Sequence, residues 1–496
     1  MHSPESVRTG GHRLDWAIKP EPFKIYPDLP VVSLPRDFPM PELDTLAAIS
    51  TAATGTAALD FERLAALLFF TAGVTKRSSY PGGGVMYFRA APSTGALYQT
   101  EVYLVAGAVD GLAAGIYHFS PGDFALRRLR EGDFRGALAI AAAEEDLAER
   151  PATLVMTAIY WRNTWKYQAR GYRHLFWDSG SMLANLLASA TALGLDARAV
   201  TGFVDLEVNG LLGLDAEKEG ALLLVPVGAA GRSAPASPVV VAISPSILPL
   251  SSSEVDYPIL RDAYANSSLE TESEVQAWRE GAIRRKEREG VPIGLPAPRR
   301  EAGRGLAETI MARGSTREFS GAAIDADDLS AALWHASRGW PADVPSRLVD
   351  LYVSVHAVEG IERGAYAYDR DAHALDLVRR GDFRREAVFL CLEQPLGGMS
   401  SATVFFLADL GAVLEAFGNR GYRAANLEAG LIGGRLYLAA YAQRFGATGL
   451  TFYDRDVVDF FAPHAAGKDA LFVTAVGRSV KGVARSPAPM QITRSS

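Results

Sequence analysis

The sequence has little cysteine and little excess charge, and each shortage excludes a class of protein. A single cysteine, Cys391, among 496 residues excludes an internal disulfide framework and a multi-cysteine zinc or iron–sulfur site. The eight histidines show no metal-binding spacing, so no metal is predicted. Fifty basic residues against 57 acidic ones give a net charge of −7, which argues against general nucleic-acid binding.

Long apolar runs are also missing. The longest, Leu64–Val74 and Ala221–Gly228, fall short of the roughly 20 residues that a membrane-spanning helix needs. The polar N-terminus lacks the apolar core of a secretory signal. Since 48% of the residues are apolar and 22% charged, the composition is typical of a globular protein with a sizeable core. We therefore expect a cytoplasmic protein without a membrane partner.

An internal repeat determines the predicted domain organisation. Four short motifs recur in the same order, at an offset of 249 or 250 residues. The pairs are Gly115–Phe119 with Gly364–Tyr368, Gly132–Arg135 with Gly381–Arg384, Arg170–Arg173 with Arg420–Arg423, and Val227–Gly228 with Val476–Gly477. Because several matches at one offset do not arise by chance, the chain is predicted to contain two copies of one domain.

Both copies show the same order of predicted elements, with a first helix, two strands, a long apolar helix and a last strand. This mixture favours an α+β fold. The predicted units are an N-terminal extension at 1–45, domain 1 at 46–235, a linker at 236–305, domain 2 at 306–485 and a C-terminal tail at 486–496. The linker is predicted to hold a charged, solvated helix at Leu269–Gly290.

The two copies have lost complementary parts. Copy two opens its first predicted helix with the motif Arg313–Arg317, whose two arginines align with Ala48 and Ala52 in copy one. Copy one carries 16 more residues between its first helix and first strand, because the offset falls from 265 to 249 there. The extra segment includes Arg89–Tyr98, where copy two has only the shorter segment Pro341–Leu348.

In combination these motifs resemble the FMN-dependent nitroreductases and, more narrowly, the SagB-type dehydrogenases, which include the cyanobactin oxidases. The resemblance rests on Arg313–Arg317, on Arg89–Tyr98 with its turn Pro92–Gly95, on Trp165–Tyr167 followed by Arg170–Arg173, and on the closing Gly477–Arg478. It covers nearly the whole chain as a tandem pair. Enzymes of that group oxidise azolines to azoles in modified peptides.

Nitroreductases are dimers that bind FMN at the subunit interface, so the resemblance implies an intramolecular pseudo-dimer with one composite FMN site. The implied FMN-binding residues are Arg313, Ser315, Arg317, Gly449, Leu450, Thr451 and Arg478 of copy two, with Pro92, Ser93, Thr94 and Gly95 of copy one. Arg317 and Arg478 would hold the phosphate, and Arg313 and Ser315 would lie at the polar edge of the ring. The reciprocal site, built from Ala48, Ala52 and Pro341–Leu348, is expected to be empty.

Lys166 and Tyr167 are the predicted catalytic pair. The resemblance implies that they lie by the flavin and remove a substrate proton during hydride transfer, with oxygen reoxidising the flavin. A lysine base needs its pKa lowered by burial or by positive neighbours. The candidate neighbours are Arg162, Arg170 and Arg173. At an offset of 250 residues copy two has Ala416 and Phe417, which carry no ionisable group, and this difference favours a functional role for the pair.

Each motif also has a purely structural interpretation. Ser315 would cap a helix, Pro92–Gly95 would be an ordinary turn, and Lys166 would be a surface residue.

The predicted reaction is oxidation of a thiazoline or oxazoline in a peptide-derived substrate, with a precursor peptide and cyclodehydratase components as implied partners. The alternatives are an NAD(P)H-dependent reductase of nitro compounds, quinones or flavins, and a non-catalytic scaffold of a biosynthetic complex.

Overall fold

The computed structural model describes residues 2–80, 84–231, 233–283, 292–344 and 347–481. The predicted tail at 486–496 lies outside these ranges, as do residues 284–290 of the predicted linker helix. Within these ranges, no helix is long and apolar enough to cross a membrane.

The N-terminal half contains helices and strands that alternate irregularly along the chain. Its helices are α1 (Pro4–Thr9), α2 (Thr45–Ser50), α3 (Phe61–Ala72), α4 (Arg135–Ala141), α5 (Tyr160–Tyr167), α6 (Gly171–Ala192) and α7 (Asp205–Leu212). Its strands are β1 (Val31–Ser33), β2 (Val74–Tyr80), β3 (Gly84–Arg89), β4 (Thr100–Ala106), β5 (Gly115–Ser120), β6 (Ala125–Glu131), β7 (Ala152–Ile159) and β8 (Glu219–Val227).

The linker and the C-terminal half follow a similar order. The helices are α8 (Pro258–Asn266), α9 (Glu272–Arg279), α10 (Leu306–Ala312), α11 (Ala326–Ala336), α12 (Arg384–Leu390), α13 (Pro395–Met399), α14 (Leu410–Phe417), α15 (Arg420–Ala442) and α16 (Asp454–Phe460). The strands are β9 (Pro292–Gly294), β10 (Ile324–Asp325), β11 (Asp350–Val355), β12 (Val358–Glu359), β13 (Gly364–Asp369), β14 (Ala374–Arg380), β15 (Ala402–Ala408), β16 (Gly446–Gly449) and β17 (Asp469–Gly477).

The two large sheets confirm the duplication and the α+β class. The first has the strand order β1-β6-β5-β4-β7-β8, and the second has the order β16-β17-β15-β11-β13-β14-β9. The central five strands, β6-β5-β4-β7-β8 and β14-β13-β11-β15-β17, correspond one to one at the offset of 249 or 250. Neighbouring strands within them are antiparallel.

Helices α6 and α15 form the interface between the copies around a pseudo-twofold axis. A Cβ atom placed on Gly180 would lie 2.2 Å from the Leu427 carbonyl oxygen. A Cβ on Gly430 would lie 2.3 Å from the carbonyl oxygen of Trp177. These contacts are reciprocal, since both pairs are related by the same offset of 250. The tandem copies therefore form the predicted pseudo-dimer, and glycine is required where the two backbones touch.

The sheets also include parts of the predicted extension and linker. Strand β1 of the extension pairs with β6, and β9 of the linker pairs with β14 at the corresponding edge of the second sheet. Lys24 of the extension is buried and its ammonium lies 2.6 Å from a Glu219 carboxylate oxygen. Segments outside the repeat therefore complete each copy.

The predicted linker helix requires a correction. The helix at this place, α9, ends at Arg279, and residues 280–283 are not helical. It is not simply solvated, because Val275 and Trp278 are buried. The centroids of the Trp278 and Phe417 rings lie 5.2 Å apart, so one face of the helix packs against copy two.

Candidate functional site

A cavity of about 960 Å³ lies between the two copies. Its wall contains residues from both, as the pseudo-dimer prediction requires, and we call this region the open seam. The predicted residues that border it are Pro92, Ser93, Thr94, Gly95, Lys166 and Tyr167 of copy one, with Arg313, Ser315, Arg317, Gly449, Leu450 and Thr451 of copy two. Twelve of the thirteen predicted site residues thus meet in one place.

The Lys–Tyr pair ends helix α5. Gln168, at a φ of 52°, breaks the helix directly after Tyr167 and turns the chain toward α6. The Tyr167 ring rests edge-on against the buried imidazole of His174, with 4.5 Å between ring centroids. The Lys166 ammonium lies 5.4 Å from the centre of the Tyr167 ring.

The two side chains are shifted in opposite directions. Burial and, less strongly, the positive charge of Arg317 lower the pKa of the Lys166 ammonium. Burial and then the charge of Asp178 raise the pKa of the Tyr167 hydroxyl, against a smaller opposite effect of Arg317. At neutral pH Tyr167 is therefore a hydrogen-bond donor, whereas Lys166 is the group that more easily becomes a base.

Burial, one of the two predicted causes of the lowered Lys166 pKa, is confirmed, whereas the predicted positive neighbours are wrong. Arg162 forms an ion pair with Glu101, and Arg170 and Arg173 both pair with Asp454 at 2.6 Å. Their charges are compensated by these carboxylates, which sequence alone does not place beside them. The cation that acts on Lys166 belongs to the other copy.

The Arg313–Arg317 motif lies in a loop after α10, not at the start of a helix. This position excludes the interpretation of Ser315 as a helix cap. The Arg313 guanidinium donates to the carbonyls of Arg89 and Ala90, both at 3.0 Å, and so joins copy two to copy one. The Ser315 hydroxyl is 3.2 Å from the Tyr437 hydroxyl.

The alignment of this motif with copy one also needs correction. Helices α2 and α10 begin at Thr45 and Leu306 and end at Ser50 and Ala312, so the offset here is 261 or 262 and not 265. The counterpart of Arg313 is therefore Thr51 or Ala52, and that of Arg317 is Gly55 or Thr56. Copy one still lacks both arginines, so the inferred asymmetry between the copies is unchanged.

The late strand brings Gly449, Leu450 and Thr451 to the cavity. The Gly449 amide donates to the Tyr437 hydroxyl at 2.6 Å, and the Thr451 hydroxyl accepts from the Gln394 amide at 3.1 Å. These contacts fix the loop that follows β16 and leave its residues along the cavity wall.

The exception among the predicted residues is Arg478, which does not border the cavity. Its guanidinium lies 3.3 Å from a carboxylate oxygen of Asp328 in α11, which draws the side chain away. Ser479 and Lys481, which follow it, do border the cavity. The predicted segment therefore reaches the cavity, but through Ser479 and Lys481 and not through Arg478 itself.

Sequence reasoning also missed Asp178 and the hairpin β2–β3. Asp178 lies in α6 and borders the cavity, and Lys76, Met86 and Phe88 of the hairpin form an outer wall. Burial raises the pKa of the Asp178 carboxyl to about 6, although Ser93 and Thr94 donate hydrogen bonds to it. A carboxylate inside an otherwise apolar helix is the signal that identifies such a residue, since buried acids need partners.

The reciprocal interface, which we call the filled seam, is occupied by side chains of the protein. The Asp343 carboxylate accepts from the amides of Thr201 and Gly202, each at 2.8 Å. The Trp278 ring packs onto Gly202, where an added Cβ would lie 2.6 Å from the ring. Trp278 also packs against the ring of Phe417. This site was expected to be empty of ligand, and its space is taken by the linker and by the segment after α11.

Potential metal ligands do not cluster in the open seam or elsewhere in the described ranges: no group of three or more His, Cys, Asp or Glu side chains there could hold an ion.

The chain resembles known proteins over its whole length and within single copies. A crystal structure of a protein from Anabaena variabilis assigned as a nitroreductase superposes with a TM-score of 0.78 and 28% identity, covering 96% of this chain and 97% of that one. MJ1384 of Methanocaldococcus jannaschii, also assigned as a nitroreductase, is 33% identical over 171 residues, 34% of this chain and 81% of its own.

A third relative has a more specific name. The microcin B17-processing protein McbC of Escherichia coli is 29% identical over 142 residues, which are 27% of this chain and 52% of McbC. The chain thus aligns with about half the length of McbC. Residues 39–229 and 310–478 each match the nitroreductase family. The protein therefore belongs to the nitroreductase family, with two family domains in one chain.

Proposed function

We propose that this protein is an FMN-dependent oxidoreductase that oxidises a thiazoline or oxazoline ring of a peptide-derived substrate to the azole. The observation that carries the proposal is that Lys166 and Tyr167 of copy one share one cavity with Arg313–Arg317 of copy two. The similarity to McbC, a protein that processes a microcin, supports a peptide-derived substrate. By the resemblance to the SagB-type dehydrogenases we further propose a precursor peptide and cyclodehydratase components as partners.

FMN is the cofactor of the nitroreductase family, and the residues of the open seam fit it. A volume of about 960 Å³ is at the upper end of the roughly 300–1,000 Å³ of small-molecule sites and leaves room for a substrate. The wall is rich in positive charge, which suits a phosphate group. The cationic residues are Lys76, Lys166, Arg313, Arg317 and Lys481, against the acidic Asp178 and Glu318.

We propose different roles for the basic residues from those that the sequence predicts. Arg317 acts electrostatically on both Lys166 and Tyr167, so we assign it, and not Arg313, to the edge of the ring near the reaction centre. Arg313 bonds two carbonyls of copy one and shapes the wall. Lys481 takes the phosphate-side role that was predicted for Arg478.

When bound, FMN supplies the two-electron acceptor that no side chain provides. In the proposed mechanism the Lys166 amine accepts the proton from the ring carbon, because burial and Arg317 favour its neutral form. Tyr167 keeps its proton and orients the substrate through a hydrogen bond.

Two measurements on purified protein test the proposal. Released flavin, quantified by absorbance, is expected to be FMN at one per chain. Incubation with an azoline-containing peptide is expected to give a product that has lost two hydrogens by mass spectrometry. Rapid bleaching of the flavin by NADPH without azole formation would favour the reductase, and absence of flavin binding would favour the scaffold.

A further inference from the structure

The Asp178 carboxylate has no part in the proton transfer described above, yet it borders the cavity. Only 5% of the residue is exposed, so the carboxylate depends on hydrogen-bond donors from the protein. Three of its donors come from one turn of copy one: the Ser93 hydroxyl, the Thr94 amide at 2.9 Å and the Thr94 hydroxyl at 2.6 Å. The Thr94 amide is thereby committed to Asp178 and not to a ligand.

The same turn is closed from its other side. The Ser93 hydroxyl accepts from the Tyr98 amide at 2.8 Å while it donates to Asp178. The Ser181 hydroxyl, one helical turn after Asp178, lies 3.3 Å from the Pro92 carbonyl oxygen. Helix α6 therefore holds the turn at several points, of which Asp178 makes the most contacts.

The turn Pro92–Gly95 also contacts the catalytic pair. Gly95 has a φ of 65° and faces the end of α5. A Cβ there would lie 2.9 Å from the Tyr167 hydroxyl and 3.3 Å from the Lys166 side chain. A displacement of the turn would therefore be passed directly to both side chains, since they are packed against it.

The filled seam contains the matched arrangement. Glu428 of α15 stands at the position of Asp178 at the offset of 250, and its carboxylate accepts from the amides of Arg347 and Leu348 at 2.8 and 2.7 Å. It too holds the segment before the first long strand of its copy. Glu428 also forms an ion pair with the buried Arg370. At the positions equivalent to Lys166 and Tyr167, copy two has Ala416 and Phe417, neither of which can act as a base.

We infer that Asp178 is a positioning residue, which fixes the turn Pro92–Gly95 and through it sets the positions of Lys166 and Tyr167 in the open seam. It acts through the turn and not on the substrate. Its negative charge has a second consequence, because it helps to keep the Tyr167 hydroxyl protonated. The inference rests on the proposed function for its kinetic readout only.

The test compares Asp178→Asn and Asp178→Glu with Glu428→Gln, the matched control in the filled seam. We expect Asp178→Asn to retain one FMN per chain with an altered visible spectrum, and to lower kcat about tenfold to 100-fold, the range expected for a misplaced catalytic pair. KM should change less than about twofold, since the residue does not bind substrate. Asp178→Glu, which keeps the carboxylate, should recover most of kcat.

Hydrogen exchange of the apoprotein provides a readout that needs neither cofactor nor turnover. Peptides spanning residues 92–98 should exchange faster in Asp178→Asn than in the wild type, and at the wild-type rate in Glu428→Gln. Unchanged exchange in Asp178→Asn, no rescue of kcat by glutamate, or an equal loss of kcat in Glu428→Gln would overturn the inference. A wild-type protein that shows the exchange pattern but never oxidises an azoline would instead contradict the proposed function alone.

Discussion

The open seam and the filled seam are built from equivalent elements, and they differ in what satisfies their polar groups. In the open seam, a cavity lies between Lys166 with Tyr167 and the Arg313–Arg317 loop. In the filled seam, Asp343 accepts the amides of Thr201 and Gly202. Buried amides need partners whether or not a ligand is present. The comparison therefore indicates that one copy of the site was replaced by internal contacts, and not merely depleted of its ligands.

The linker completes this replacement. Arg279 donates to the carbonyls of Ala142, Ala143 and Gly202, and the adjacent Trp278 fills the space above Gly202. A linker that only joined two domains would not need a buried tryptophan. The linker that joins the copies thus supplies side chains that occupy the second site. In a dimer of two identical subunits, exact symmetry would fill both sites or neither.

The largest expected effect concerns the catalytic pair. Lys166→Ala should retain FMN but lower azole formation by a factor on the order of 10²–10⁴, the usual cost of a lost general base. The matched control is Ala416→Lys, which places a lysine at the equivalent position beside the filled seam and should leave the rate unchanged. Steady-state oxidation followed by mass spectrometry measures both. Equal activity of Lys166→Ala and the wild type would remove the functional distinction between the seams.

The second effect concerns occupancy of the filled seam. Trp278→Ala should lower the free energy of unfolding by about 3–5 kcal/mol, because a buried indole is removed. FMN content should nevertheless stay at one per chain, since this seam lacks both arginines and Asp343 still holds the amides. Denaturant unfolding and flavin absorbance measure the two quantities. A second FMN in the variant would mean that the indole alone keeps the seam closed.

A smaller effect is expected at the pseudo-twofold axis, which the seams share. Gly180→Ala should cost about 1–3 kcal/mol, because its Cβ would press on the Leu427 carbonyl and separate α6 from α15. FMN affinity should weaken as well, since both walls of the cavity depend on this contact. The control is Gly210→Ala in α7, which meets open space and should be neutral or slightly stabilising. Equal stability of the two variants would contradict the close helix contact.

Much of the difference between the two seams could be predicted from the sequence, because the two copies of a duplicated domain can be aligned with each other. The constant offset located the equivalent strands, and the unequal motifs identified which copy kept which part. What failed depended on contacts between distant segments. Arg478 turns toward Asp328, and Arg170 and Arg173 are neutralised by Asp454, which lies more than 250 positions away. The helix that contains Trp278 was predicted to be solvated from its charged residues alone. The local sequence does not show that Trp278 packs against Phe417 of copy two.

The smallest expected effect is electrostatic and distinguishes the revised role of Arg317 from the predicted one. Lys166 must lose its proton to act as a base, so the rate should rise with pH through its pKa, which burial and Arg317 lower. Arg317→Gln removes the positive charge, stabilises the ammonium form and should move this rise to higher pH. The exposed Arg455→Gln, outside the cavity wall, serves as the control. The pH dependence of kcat at saturating FMN measures the shift. An arginine near the reaction centre shifts the pH at which kcat rises, whereas an arginine at the phosphate does not. An unshifted pH profile with weaker FMN binding would therefore assign Arg317 to the phosphate.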